Sequence, residues 1–82
     1  MKYRILIERS AIKFLEKQSM EQRTRLLKAI NQLPDVGDIK RLQPFHGLFR
    51  LRVGTFRILF TIENDALIVR VVEIGNRGDV YK

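Results

Sequence analysis

The segment F-R-L-R-V-G-T-F-R-I-L-F, residues 49–60, sets Arg50, Arg52 and Arg57 between large apolar side chains. A guanidinium is a planar fork of donors that stays charged at any working pH and matches two oxygens of a phosphate. Several such forks on one surface make a cradle for a phosphodiester. RNA carries its own nucleophile, the 2′-hydroxyl, so a protein that aligns it with the neighbouring phosphorus and stabilises charge on the phosphate oxygens has done most of the work of cleavage. Tyr81, in the tail G-N-R-G-D-V-Y-K, is the other group with suitable chemistry. Cations nearby favour a phenolate, so a tyrosine among guanidiniums can act as a base. On residues alone, an aromatic that docks the C-terminus on the core is the plainer reading of Tyr81.

Other chemistry finds little footing. Acid–base hydrolysis of RNA by two histidines, or by a histidine with a glutamate, needs partners this chain lacks, since His46 is its single histidine. It sits beside Pro44 and Gly47 and reads as a loop or surface residue. Glu63 flanks a turn, and strict alternation puts Glu73 on the covered face of its strand. No G-x-G-x-x-G or P-loop pattern is present, so nucleotide cofactors have no support. The absence of cysteine removes disulfides and thiolate metal sites, and no cofactor or metal is expected.

These arginines must be held by a sheet. Gly54-Thr55 suits a two-residue type II′ hairpin between strands at 48–53 and 56–63. Val53 then opposes Phe56, Leu51 opposes Ile58 and Phe49 opposes Phe60, giving one apolar face. The other face sets Arg52 opposite Arg57 and Arg50 opposite Leu59. A turn at Asn64-Asp65 leads to a third strand at 66–74 and brings Arg70 opposite Leu59. The exposed side of the sheet is thus expected to carry Arg50, Arg52, Arg57 and Arg70. Like charges facing each other cost only ~0.2–1 kcal/mol in water, so a solvated basic face competes with an anion site.

Upstream, Tyr3, Ile5 and Ile7 alternate as a strand. Ser10 is placed to cap a helix with Ala11, Phe14, Leu15 and Gln18 on one side. Ser19 and Gln22 have the spacing of a capping box, opening a helix with Leu26, Leu27, Ile30 and Leu33 as its stripe. Pro34 ends it, and residues 34–47 read as a loop. The order is β-α-α-β-β-β. The predicted fold class is α+β, an antiparallel sheet with a helical hairpin packed on one face, and residues 1–82 form one domain.

Sixteen Lys+Arg against nine Asp+Glu give a formal charge of +7, and residues 40–62 hold five basic residues and no acidic one. Such a surface attracts nucleic acid or an acidic protein. The apolar runs are far short of the ~20 residues of a spanning helix. The N-terminus lacks the apolar core of a signal peptide, so a cytoplasmic location without membrane contact is expected.

The element order, the segment I-K-R-L followed by G-L-F-R-L-R-V-G-T-F-R-I-L-F, and the ending E-I-G-N-R-G-D-V-Y resemble RelE-type toxins of the RelE/ParE superfamily over nearly the whole chain. That resemblance implies a ribosome-dependent endoribonuclease that cuts mRNA in the decoding site. It places the catalytic arginines at Arg50, Arg52, Arg57 and Arg77 and the closing tyrosine at Tyr81. Better-known members carry lysines where this chain has Arg50 and Arg52. Arginine is a poor proton carrier, so more of the proton transfer falls to Tyr81, which would also stack on the substrate base. Lys40, Arg41 and Arg70 become RNA-binding candidates, as do the helix residues Lys13, Lys17, Arg23 and Lys28. The implied partners are the ribosome with its mRNA and a small, acidic, partly disordered cognate antitoxin. Two alternatives share the fold or the charge: a ParE-like inhibitor of DNA gyrase, and a basic binding module without catalysis.

Overall fold

The computed structural model describes residues 3–42 and 47–76. In chain order the elements are β1 (Arg4–Ile7), α1 (Arg9–Glu16), α2 (Met20–Ile30), β2 (Asp38–Arg41), β3 (Leu48–Val53), β4 (Phe56–Glu63) and β5 (Ile68–Asn76). They build a five-stranded sheet in the order β1-β5-β4-β3-β2 with both helices on one face. The α+β class and the helical hairpin are as expected. Two features were not expected: β2, which lies in the stretch read as a loop, and the direction of β1, which runs parallel to β5. Among the described residues, no helix is long and apolar enough to cross a membrane.

The helices bury their apolar stripes on the sheet. Ala11 and Leu15 of α1 and Leu26 and Ile30 of α2 meet Leu51, Phe56, Ile58, Phe60, Val69, Val71 and Ile74, with Leu33 closing the cluster beyond α2. Phe14 packs edge-on against Phe56 at 6.0 Å, and Phe49 stacks on Phe60 at 5.5 Å across the hairpin. Ser19 caps α2 as its spacing predicts, its hydroxyl accepting from the Gln22 N–H at 3.2 Å. Ser10 does not cap α1. That helix starts two residues earlier, after Glu8, and the Ser10 hydroxyl instead donates to the Val72 carbonyl at 2.9 Å. Arg23 also has a structural task. Its guanidinium donates to the carbonyls of Leu15 and Gln18, both at 3.2 Å, closing the C-terminal end of α1. It is therefore engaged, and its reading as an RNA contact is withdrawn.

The strand β2 escaped sequence reading because three of its four residues are exposed and only Ile39 is apolar. Its pairing with β3 comes from the ladder rather than from a hydrophobic pattern. Gly37 leads into it with φ +131°, and a Cβ there would meet the Leu51 side chain at 2.6 Å, so this entry requires glycine.

Candidate anion site on the arginine face of the sheet

The β3–β4 hairpin has the register its turn predicts. Arg52 faces Arg57, Arg50 faces Leu59, and Leu51 and Phe49 pair with Ile58 and Phe60 on the helix side. Gly54 has φ +59°, as the first central residue of a type II′ turn demands. The pair closing such a turn is hydrogen-bonded, so Arg52 and Arg57 form the adjacent close pair, with Cα atoms ~4.5 Å apart. A surface depression of about 320 Å³ opens here, lined by Arg52, Gly54, Thr55 and Arg57. From the helix side, the Arg25 guanidinium approaches the same turn, 2.7 Å from where a Cβ on Gly54 would lie.

The strand β2 extends this surface. Asp38 pairs with Arg52 and Lys40 with Arg50, so both stand on the arginine face. Arg41 alternates to the helix side, where its guanidinium lies 5.7 Å from the centre of the Phe49 ring. Lys40 and Arg41, neighbours in sequence, therefore serve opposite faces, and only Lys40 joins the arginines.

Arg50 does not stand free on an exposed face. It is 7% exposed, and its Nη2 donates to Asp38 Oδ1 at 3.3 Å. Leu59 opposite it and Leu42 beyond Lys40 are buried on this side of the sheet, outside the main core cluster. Arg50 thus threads through a small apolar patch, and its Nε is buried without a hydrogen-bond partner. Arg52 remains half exposed, with Nε 3.9 Å from Asp38 Oδ2. One carboxylate thus stands between two guanidiniums.

The β4–β5 register departs from expectation in two ways. First, the connection spans Asn64 to Leu67 rather than two residues, with Leu67 at φ 55°. Arg70 consequently faces Thr61 instead of Leu59. It keeps the expected face but lies four β4 residues from the Arg57 row, about 13 Å along the strand. There it donates through Nε to Glu63 Oε2 at 2.9 Å. This hydrogen bond, followed by the charge of Glu63, raises the Arg70 pKa above the ordinary guanidinium value. Arg70 belongs to that ion pair, outside the arginine cluster.

Second, β5 contains a bulge. Phe60 pairs with Val71 and Leu59 with Glu73, leaving Val72 as the extra residue. The inward side chains Val71 and Ile74 are therefore three positions apart, and the carbonyl of Val72 accepts the Ser10 hydroxyl. Glu73 consequently lies not on the helix-covered face but exposed on the arginine face, in the row Lys40–Arg50–Leu59–Glu73. The sequence carried a signal for this. Unbroken alternation after Val69 and Val71 would bury a glutamate, and a charge assigned to a core position marks a register fault.

The face thus gathers Lys40, Arg50, Arg52 and Arg57 with two carboxylates, Asp38 and Glu73. His46, Arg77 and Tyr81 lie outside the described residues. No group of three potential metal ligands occurs among the described residues. An arrangement of this kind can hold a phosphodiester by bidentate contacts, offset its developing charge and offer a carboxylate to a neighbouring hydroxyl.

Comparison with known proteins bears on the family and the fold. The sequence model of a family described as the ParE toxin of type II toxin–antitoxin systems matches residues 5–81. No curated protein matches the sequence. Among solved structures, the chain is similar to a chain of the archaeal RelE–RelB complex from Pyrococcus horikoshii OT3, with a TM-score of 0.79 at 20% identity, covering 98% of this chain and 100% of that one. It is similar to a chain of the RelB–RelE complex from Methanococcus jannaschii, with a TM-score of 0.74 at 24% identity over 93% and 94% of the two chains. The isolated E. coli RelE toxin gives a TM-score of 0.76 at 18% identity, covering 92% of this chain and 84% of that one.

Proposed function

The chain belongs to the ParE toxin family of type II toxin–antitoxin systems, and we propose that it acts as a RelE-type endoribonuclease that cuts mRNA on the ribosome and so arrests translation. The observation that carries this reading is the facing pair Arg52–Arg57 over its depression, with Lys40 and Arg50 in the adjoining row. Two guanidiniums in close register offer converging forks of donors to an anion bound between them.

In this reading Arg57 and Arg52 grip the scissile phosphate and stabilise the charge that builds on its oxygens. Arg50, nearly buried, supplies field from behind and orients Asp38. Arg77 and Tyr81 complete the site, Arg77 on the phosphate and Tyr81 stacked on the substrate base or serving as the proton acceptor. Lys40 takes a flanking phosphate and Arg41 a ribosomal RNA contact outside the cleft. The 2′-hydroxyl attacks the adjacent phosphorus, leaving a 2′,3′-cyclic phosphate. The partners in the cytoplasm are the programmed ribosome and a small acidic antitoxin that folds on the toxin and silences it. Structural relatives with an antitoxin bound and the charge of +7 both favour such a partner.

The test is to map cuts on a message in a reconstituted translation system. Wild-type protein is expected to cut only ribosome-bound message. Arg57→Ala, Arg77→Ala and Tyr81→Phe are each expected to slow cleavage, by roughly 10²–10³-fold for Arg57 as a charge-stabilising donor. Intact message with every ribosome preparation refutes the reading. The match to a model of ParE toxins favours one competitor, inhibition of DNA gyrase without RNA cleavage. Loss of supercoiling at low protein concentration, with no cuts in message, would establish that instead.

A further inference from the structure

We propose that Glu73 is the general base of the cleavage, a role that rests on the nuclease reading above. Its position is the product of the β5 bulge. Without the extra residue Val72, Glu73 would point beneath the helices. With it, the carboxylate stands exposed on the arginine face, opposite Leu59 and one step diagonally from Arg57. Diagonal neighbours on adjacent strands lie ~7–8 Å apart at Cα, within reach of two long side chains converging on one group. A phosphate held by Arg57 and Arg52 therefore places its adjoining ribose within the span of the Glu73 carboxylate.

None of the ion pairs among the described residues involves Glu73. This sets it apart from Asp38, which is committed to Arg50 and Arg52, and from Glu63, which is committed to Arg70. Bulges recur beside active sites because they re-aim a side chain that regular pairing would misdirect. Here the bulge is fastened from outside the sheet by the Ser10 hydroxyl on the Val72 carbonyl.

The step balances without any further reactant. A Glu73 carboxylate oxygen takes the 2′-hydroxyl proton as the O2′–P bond forms. The P–O5′ bond breaks, and the departing 5′ oxygen acquires a proton from Glu73 by way of water. One proton has moved between two oxygens and the carboxylate is restored.

Single-turnover cleavage of a ribosome-bound message by wild type, Glu73→Gln, Glu73→Asp and Tyr81→Phe, measured across pH, tests this. Glu73→Gln is expected to lose about 10²-fold in rate, the scale of a general base, and to lose the acid limb of the pH–rate profile. Binding to the programmed ribosome should be retained or tightened, because a negative charge is removed. Glu73→Asp should retain the acid limb at a reduced rate. A Glu73→Gln rate within about threefold of wild type with the acid limb intact overturns the assignment, as does a faster rate. A wild-type protein that leaves message intact overturns the nuclease reading itself, and this role with it.

Discussion

Removing the Asp38 carboxylate should cost more than its exposed position suggests, because of what it leaves behind. Asp38 is 59% exposed, yet the Arg50 side chain it pairs with is 9% exposed, and the Arg50 Nε already has no partner. In Asp38→Ala the guanidinium keeps its burial and loses its counter-ion. A hydrogen bond to a charged group contributes ~1.5–3 kcal/mol, and an acceptor as exposed as this one belongs at the low end. The Arg52 contact, at 3.9 Å between two half-exposed side chains, adds little. The expected loss is about 1.5 kcal/mol, which for a domain of this size lowers Tm by roughly 6–12 °C.

The control is Arg50→Met, which replaces a nearly buried charge by an apolar side chain among Leu42 and Leu59 and should be neutral or stabilising. In that background Asp38→Ala should cost no more than ~0.5 kcal/mol, so thermal melts of the four proteins form a cycle with a coupling near 1 kcal/mol. A Tm for Asp38→Ala within about 2 °C of wild type, or an equal loss with and without Arg50, would show that Arg50 does not depend on this carboxylate. On the proposed activity, ribosome binding is expected to follow the same logic. Arg50→Met should bind the programmed ribosome nearly as wild type, whereas Arg52→Ala should weaken binding.

Leu67→Gly should stabilise the protein by about 0.5–1 kcal/mol in urea titration, because a non-glycine residue at φ 55° is strained and this side chain is 37% exposed. Arg23→Ala should lower the urea midpoint by an amount equivalent to about 1–2 kcal/mol, since two donors to the carbonyls of Leu15 and Gln18, at and just beyond the end of α1, are lost. Arg23→Lys should recover only part of it, because an ammonium cannot span Leu15 and Gln18 as a fork does.

How much of this was legible in the residues depended on how locally each feature is determined. The β3–β4 hairpin was fully readable, because a two-residue turn with glycine first fixes register and register fixes every face. The Ser19 cap and the stripes of both helices are likewise written within a few residues of each other. The β4–β5 connection was misread because Asn64-Asp65 resembles a complete turn, while the chain uses Ala66 and Leu67 as well. The strand β2 was missed because its reason for being a strand is β3. The burial of Arg50 was invisible for a similar cause. Alternation assigns a face, but the apolar patch formed by Leu42 and Leu59 arises only when β2 and the hairpin are in place.

The bulge shows how a local misfit rearranges a face of the sheet. The run I-V-R-V-V-E-I-G-N must present Val69, Val71 and Ile74 to the helices, and no unbroken strand can turn both Val71 and Ile74 inward. One extra residue resolves the conflict and sends Glu73 to the opposite face. The cost is a ladder whose register shifts at Val72. Ser10 donates to its carbonyl from the first turn of α1. The helix is thereby tied to the bulge, and the bulge determines that a carboxylate stands beside Arg57. The helix-covered core and the arginine face are consequently one construction. The inward spacing that packs α1 on the sheet is the same spacing that places Glu73 among the cations.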